Sequence, residues 1–161
     1  AYSYRRFCFA HHSIYRRFDK PRIVHIITMR VFVSGQFKEK RRVREAFRVM
    51  EAAGHVITYD WTRTEALEEP YSSYSAEASR RAHEDIRGIL SADVFILMSD
   101  NRERGKGMYV ELGAALALAG LRSKQIQVYI VGPMNHESIF YYHPLVVHKE
   151  TLEEVVSSCE A

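Results

Sequence analysis

Short apolar runs alternate along the chain with longer segments whose apolar residues recur at helical spacing. The apolar runs suit strands that are covered on both faces. They predict strands at residues 31–33, 56–59, 94–98, 126–131 and 146–149. The longer segments predict helices at residues 38–53, 76–90, 108–120 and 152–158, and Gly54 is placed to end the first of them.

This alternation predicts an α/β fold, a flavodoxin-like three-layer sandwich with helices on both faces of a five-stranded, mostly parallel sheet. The expected strand order is 2-1-3-4-5. In such sheets ligands bind beyond the carboxyl ends of the strands, where the strand order reverses. The loops at residues 34–37 and 100–107 follow two neighbouring strands, so we expect them to share a crevice. The polar connection at residues 62–75 is expected to pass over its mouth.

Charge divides the chain into two parts. Residues 1–28 carry six of the 23 basic groups and one of the 20 acidic groups, which leaves 17 and 19 for residues 29–161. The basic character of the whole chain therefore gives no reason to expect binding to a nucleic acid polymer. A length of 161 residues suits one domain, which we place at residues 29–161. Residues 1–28 are expected to form an N-terminal extension outside the core, either an upstream stretch, an arginine-rich leader or an arm.

Metal and membrane functions find no support in the sequence. Cys8 and Cys159 lie near opposite ends of the chain, and the four histidines from His83 to His148 share no metal-ligand spacing. No apolar run is long enough to cross a bilayer. The sequence therefore predicts a cytoplasmic protein without a metal site.

The candidate chemistry centres on Glu111, the one charged side chain between Met108 and Leu121. It follows a strand and a loop that ends at Gly107, so we place it in the first turn of a helix. There, free N–H groups and the helix dipole would keep the carboxylate ionised. An ionised, partly desolvated carboxylate is suited to attack an anomeric carbon. The alternative is that Glu111 only caps the helix or complements its dipole.

A second acid, Asp85, interrupts the apolar row of the preceding predicted helix. The residues predicted to face inward from this helix are Ala78, Ala82, Ile86, Ile89 and Leu90. An acid within such a row is unusual. We expect Asp85 to line the same crevice as Glu111 and to donate a proton or orient a hydroxyl group. The alternative is that it lies at the edge of the row and pairs with a cation such as Arg81.

Three motifs occur in order on the predicted elements. They are VFVSGQF, an aspartate eight residues before that of Ser91-Ala92-Asp93, and GKGMYVELGAALA. The core of the third is a glycine, three residues and then Glu-Leu-Gly. Together the motifs resemble the nucleoside 2-deoxyribosyltransferase superfamily, which includes the 2'-deoxynucleoside 5'-phosphate N-hydrolases. The resemblance covers residues 30–133.

The resemblance implies a double displacement at C1' of a deoxyribonucleoside or its 5'-monophosphate, without a cofactor. Glu111 would be the nucleophile, and Asp85 the acid that contacts the sugar or assists catalysis. The expected substrate contacts are Ser34, Gly35, Gln36, Phe37, Asp100, Gly107 and Asn135. Transfer to a second base would make the protein a transferase, which the length of the 100–107 loop favours. Resolution by water would make it a hydrolase.

Two departures from the superfamily pattern bear on this expectation. Gly105 stands where transferases commonly place an aspartate that holds the base. The first strand lacks a tyrosine near the nucleophile, and Tyr59 or Tyr109 are candidates to replace it. Both departures favour the rival function of a non-catalytic nucleotide-binding module. The three basic residues of the 100–107 loop either neutralise a 5'-phosphate or form a solvated surface.

Apart from a small nucleoside or nucleotide, the expected partner is another copy of the chain. The third helix is apolar almost throughout, which predicts a homo-oligomer, a dimer or higher. Asn135 is expected to reach the pocket of a neighbouring copy. An FMN-binding flavodoxin is disfavoured, because its phosphate loop would need several hydroxyl residues after the first strand and only Ser34 is present.

Overall fold

The computed structural model describes residues 27–121 and 125–160. The strands in these ranges are β1 (Arg30–Ser34), β2 (Val56–Ile57), β3 (Val94–Met98), β4 (Gln127–Val131) and β5 (Val146–Lys149). The α-helices are α1 (Lys40–Ala52), α2 (Ser75–Ser91), α3 (Lys106–Ala119) and α4 (Leu152–Cys159). The extension predicted at residues 1–28 lies almost wholly outside the described residues and stays a prediction.

All neighbouring strands run parallel, in the order β2-β1-β3-β4-β5. This confirms the predicted flavodoxin-like α/β fold. The chain moves from β1 to β2 in one direction and returns to β3 in the other, so right-handed crossovers place α1 on the face opposite to α2 and α3. In agreement, α1 packs with α4, and α2 packs with α3. The carboxyl ends of β1 and β3 flank the reversal of strand order, where a ligand is expected.

The core fixes β1 and β3 relative to each other. The central strand β3 is buried over its whole length, because it has neighbours on both edges and helices on both faces. Phe32 of β1 and Phe95 of β3 stack with ring centroids 5.9 Å apart. The loops that leave these two strands therefore start from a rigid base.

The observed elements differ from the predicted ones mainly at their ends. β2 has two residues rather than four, because Tyr59 turns toward α2, where its hydroxyl group donates to Glu84 Oε2 at 2.8 Å. α1 begins at Lys40, after a 3-10 turn over Phe37–Glu39. Gly54 has φ of 86° and follows the end of α1, as predicted.

The inward face of α2 is only partly the one predicted: Ile89 is buried and Ala78 and Ile86 are half-buried, whereas Ala82 is exposed and Leu90 is 51% exposed. Gly88 lies against the sheet instead, where a Cβ atom would stand 2.9 Å from the Phe32 ring. Because Gly88 has no side chain, α2 can approach β1 closely on this side. Asp85 lies on the half-buried side of the helix, one turn before the buried Ile89.

α3 begins two residues earlier than predicted and ends at Ala119. Its inner side contributes Met108, Leu112 and Leu116 to the core. Its outer side is open, and the Val110 side chain there is 66% exposed. The expectation that another copy of the chain covers this side stays a prediction.

Candidate active site

The candidate active site lies where the loops after β1 and β3 meet. The backbone N–H of Gln36 donates to Asn101 Oδ1 at 3.4 Å, and Asn101 Nδ2 donates to the Met98 carbonyl at 2.6 Å. The backbone N–H of Arg102 donates to Glu39 Oε1 at 2.9 Å. The expected contact between these two loops is therefore present.

Glu111 lies in the second turn of α3, because the helix begins at Lys106. The residue is half-buried, and its Oε2 atom is buried with no hydrogen-bond partner. The influence of the free N–H groups and of the dipole fades beyond the first turn. The predicted position in the first turn is wrong, and so is the predicted reason for Glu111 to stay ionised.

Burial raises the pKa of Glu111 from its ordinary value of 4.5 to about 7. The Ser34 hydroxyl group opposes this effect and lowers the pKa, whereas the negative charge of Asp85 raises it. At neutral pH the carboxyl group is therefore divided between its protonated and ionised forms. A carboxyl group with a pKa near the working pH, in a crevice, is typical of a catalytic group.

Asp85 projects from the half-buried side of α2. Burial, together with the negative charge of Glu84, raises its pKa from 3.8 to about 6 against the opposing effect of Arg81. Arg81 pairs instead with Glu77, whose Oε1 atom lies 2.7 Å from Arg81 Nε. Within the described ranges neither Asp85 nor Glu111 forms an ion pair. The structure thus brings two acids within electrostatic reach of each other without a paired cation.

Two of the predicted substrate contacts lie beside Glu111. Ser34 is the last residue of β1, has no exposed surface, and has a buried hydroxyl group without a hydrogen-bond partner. Gly107 is in the first turn of α3, where an added Cβ atom would stand 3.6 Å from Glu111 Oε1. A side chain at Gly107 would therefore be in van der Waals contact with that oxygen.

The other residues of the first loop have structural contacts of their own. A Cβ atom at Gly35 would lie 2.5 Å from Val43 Cγ2, so glycine is required there for packing. The Gln36 side chain is buried and accepts from the Lys38 backbone N–H. Phe37 stacks on Trp61 with ring centroids 6.0 Å apart. A substrate contact by these residues stays a prediction.

Asp100 is held by Arg42 of α1, which donates to both the Asp100 side chain and its backbone carbonyl. The second carboxylate oxygen, Oδ1, is buried without a hydrogen-bond partner and faces Gly132. Gly132 has φ of 92°, and a Cβ atom there would lie 3.5 Å from Asp100. Asp100 is thus directed toward α1 and the end of β4.

A cavity of about 520 Å³ opens on the α1 side of the two loops. It is lined by Gln36, Lys38, Glu39, Arg41, Arg42, Asp100, Arg102 and Glu103. The three acids of this lining are each paired with a lysine or an arginine. Among the described residues, the guanidinium groups of Arg41 and Arg102 have no such partner, so the cavity keeps positive charge. Glu111 does not line it, so Gln36 and Asp100 face a different part of the crevice from the two unpaired acids.

Neither candidate tyrosine directs its hydroxyl group at Glu111. The Tyr59 hydroxyl donates to Glu84, and burial, together with this bond, raises the pKa of Tyr59 to about 12. The Tyr109 hydroxyl donates to the His136 carbonyl at 2.9 Å. Asn135 is exposed after β4, and its backbone N–H donates to the Pro133 carbonyl. A contact between Asn135 and a neighbouring copy stays a prediction.

The connection at residues 62–75 is tied to the helices around the crevice, as expected for a segment at its mouth. Lys40 of α1 donates to the Thr64 carbonyl, and Arg81 of α2 donates to the Glu65 carbonyl. Lys106 Nζ of α3 lies 3.3 Å from Glu69 Oε1. Each of these contacts comes from a different helix.

Three residues that position the site were missed by the sequence analysis. Trp61 donates from Nε1 to the Val33 carbonyl at 2.9 Å and so covers the end of β1. Arg42 holds Asp100, and Asn101 joins the two loops. Trp61 is the one tryptophan of the chain and lies in a polar segment, and this contrast could have indicated its role from the sequence. Arg42 and Asn101 carry no comparable signal, because surface arginines and loop asparagines are common.

Within residues 27–121 and 125–160, no group of three or more histidine, cysteine or acidic side chains is placed to hold a metal ion. In the same ranges no helix has the length and apolar character needed to span a membrane. Cys159 is buried and is a free thiol.

Two solved structures share this arrangement of strands and helices. One is the CMP N-glycosidase BcmB of Clostridium botulinum, with 18% identity and a TM-score of 0.50 over 82% of this chain and 99% of that one. The other is a 2-deoxyribosyltransferase of Bacillus psychrosaccharolyticus, with 16% identity and a TM-score of 0.54 over 79% of this chain and 90% of that one. No protein-family model and no curated protein sequence matches the chain.

The chain shares its fold with these two enzymes. This agrees with the resemblance carried by the sequence motifs. At 16–18% identity the likeness extends to the fold, and the chemistry has to be argued from the residues.

Proposed function

We propose that this chain cleaves the N-glycosidic bond of a 2'-deoxyribonucleoside or of its 5'-monophosphate, with Glu111 as the nucleophile. The observation that carries the proposal is the half-buried Glu111 carboxyl group, which has an unpartnered oxygen and a second acid, Asp85, within electrostatic reach. The superfamily motifs and the shared fold support this assignment. So do the names of the two structural neighbours, an N-glycosidase and a deoxyribosyltransferase.

Two acids without a paired cation suit a transition state that carries positive charge at C1'. In the first step a carboxylate oxygen of Glu111 forms a bond to C1' while the bond from C1' to the base nitrogen breaks. The electron pair leaves with the base, which takes a proton from Asp85. In the second step water or another base attacks C1', returns a proton to Asp85 and releases the Glu111 carboxylate.

Transfer to a second base is the outcome we propose first, because the length of the 100–107 loop matches that of the transferases. Hydrolysis of a nucleoside 5'-monophosphate is the second candidate. The basic cavity beside Gln36 favours it, since Arg41 and Arg102 offer guanidinium groups without an ion-pair partner among the described residues. Arginine binds phosphate oxygens through paired hydrogen bonds.

The test is release of free base from a panel of deoxyribonucleosides and their 5'-monophosphates, with and without a second base as acceptor. We expect Glu111→Ala to abolish release. Glu51→Gln, which changes an exposed glutamate of α1, should leave it unchanged. Base release at the unaltered rate from Glu111→Ala would refute the proposal.

A trapping experiment separates catalysis from mere binding. A 2-fluoro-2-deoxy nucleoside slows the second step, so the glycosyl group should accumulate on the peptide that contains Glu111 and be detected by mass spectrometry. Binding of the nucleoside without an adduct and without base release would instead favour the non-catalytic nucleotide-binding module.

A further inference from the structure

The Ser34 hydroxyl group differs from that of Ser99, the other buried serine at the carboxyl ends of β1 and β3. Ser34 ends β1, and Ser99 directly follows β3; both side chains are fully buried. Ser99 Oγ donates to the Val131 carbonyl at 2.9 Å and lies 3.0 Å from two further carbonyl oxygens. Ser34 Oγ has no hydrogen-bond partner among the described residues. Because an unpaired buried hydroxyl group costs stability, its retention at Ser34 calls for a functional reason.

The group beside Ser34 is also unpaired. Glu111 Oε2 is buried without a hydrogen-bond partner, and the packing of α3 on β1 brings this carboxyl group next to the Ser34 hydroxyl. The two atoms do not form a hydrogen bond of ordinary geometry in this structure. A hydroxyl group can rotate, so it can donate when the carboxyl group is ionised.

Among the described residues, the other groups around Glu111 do not donate a hydrogen bond to its carboxylate, which leaves the Ser34 hydroxyl as the donor. From α2, Asp85 raises the pKa of Glu111. The pKa of Asp85 is in turn raised by burial and by Glu84, and it is lowered by Arg81. β3 contributes only apolar side chains. From β4, the Tyr129 side chain lies beside Cys159 and Ser158 of α4, on the face of the sheet opposite to α3.

The guanidinium group of Arg30, at the opposite end of β1, forms an ion pair with Asp93 at 2.7 Å. Within the described ranges, therefore, no cation is paired with the Glu111 carboxylate.

We propose that Ser34 is a positioning residue, which donates a hydrogen bond to the ionised Glu111 carboxylate and holds the attacking oxygen in place. The proposal rests on the proposed function, because it assigns Ser34 to the nucleophile rather than to the substrate. A donor that bonds the charged form favours that form. Ser34 thus extends the availability of the nucleophile to lower pH and offsets the effects of burial and of Asp85.

The test compares Ser34→Ala with Ser99→Ala, which removes a buried hydroxyl group just after β3 without touching an acid. The acid limb of kcat/KM should move to higher pH in Ser34→Ala by roughly 0.5 to 1 pH unit, as expected for the loss of one donor. The corresponding loss of kcat/KM below the limb is about threefold to tenfold, with little change above it. Ser99→Ala should leave the limb in place. Ser34→Cys, which keeps a weaker donor, should fall between serine and alanine.

A stability measurement that needs no activity supplies the second readout. The decrease in unfolding free energy as the pH rises above 4.5 should extend to higher pH in Ser34→Ala than in the unaltered protein. An unmoved limb, or a loss of kcat/KM that is equal at every pH, would overturn the role of Ser34 and leave the proposed function intact. Base release by Glu111→Ala would overturn the proposed function instead.

Discussion

Replacing Glu111 with glutamine should change the stability of the protein in a way that depends on pH. Burial raises the pKa of Glu111 from 4.5 to about 7, so the folded protein keeps a proton that the unfolded chain loses above pH 4.5. The contribution of Glu111 to stability is therefore fully present below its unfolded pKa and is lost as the pH rises through its folded pKa. At about 1.4 kcal/mol for each pH unit between the two values, the loss is about 2 kcal/mol by pH 6 and about 3 kcal/mol by pH 8.

Glutamine has almost the same shape and no charge to desolvate, so Glu111→Gln should lack this loss. Urea unfolding at a series of pH values from 4.5 to 8.5 measures the difference between the two proteins. A constant offset is expected because the amide also needs hydrogen-bond partners, and the part that grows with pH is the diagnostic one. Glu51→Gln, at an exposed position, serves as the control. A difference that is flat across this range, or that shrinks as the pH rises, would refute the burial argument.

Two further predictions concern the surroundings of Glu111. Asp85→Asn removes a negative charge that raises the pKa of Glu111, so the acid limb of kcat/KM should move to lower pH. Turnover should also fall by roughly 100-fold or more, because the proton donor is lost. An unchanged acid limb would show that Asp85 does not act on Glu111. Gly107→Ala places a Cβ atom 3.6 Å from Glu111 Oε1 and should lower kcat/KM by about tenfold or more, with unfolding free energy equal or up to about 1 kcal/mol higher. Gly113→Ala, in the same helix with no atom within 4 Å of the added Cβ atom, is the matched control; equal activity of the two alanine variants would contradict the predicted approach path.

Much of the fold was predictable because the signals are local. The apolar run of β3 is hydrophobic enough to require cover on both faces, and the alternation with amphipathic segments then leaves few topologies. The ends of elements were less predictable. β2 stops after Ile57 because the Tyr59 hydroxyl bonds Glu84, a residue 25 positions away that no local pattern reveals.

The candidate site was predictable in part. An acid in an apolar helix and another in an apolar row are visible as anomalies, and the structure places Glu111 and Asp85 within electrostatic reach. Their environment was not predictable. The sequence suggested an ionised Glu111 at a helix start, whereas the structure places it one turn deeper, where burial raises its pKa to about 7.

The sequence by itself therefore determined the order of strands and helices, the loops that meet, and the two acids worth examining. These follow from periodicity and from the free energy of burying apolar and charged groups, which act along the chain. Only the tertiary structure decided that Gly88 lets α2 approach β1 closely, that the Ser34 hydroxyl lies beside Glu111, and that Arg42 holds Asp100. The pKa of a carboxyl group depends on its depth and on charges brought near by folding, and neither is encoded in its neighbours along the chain.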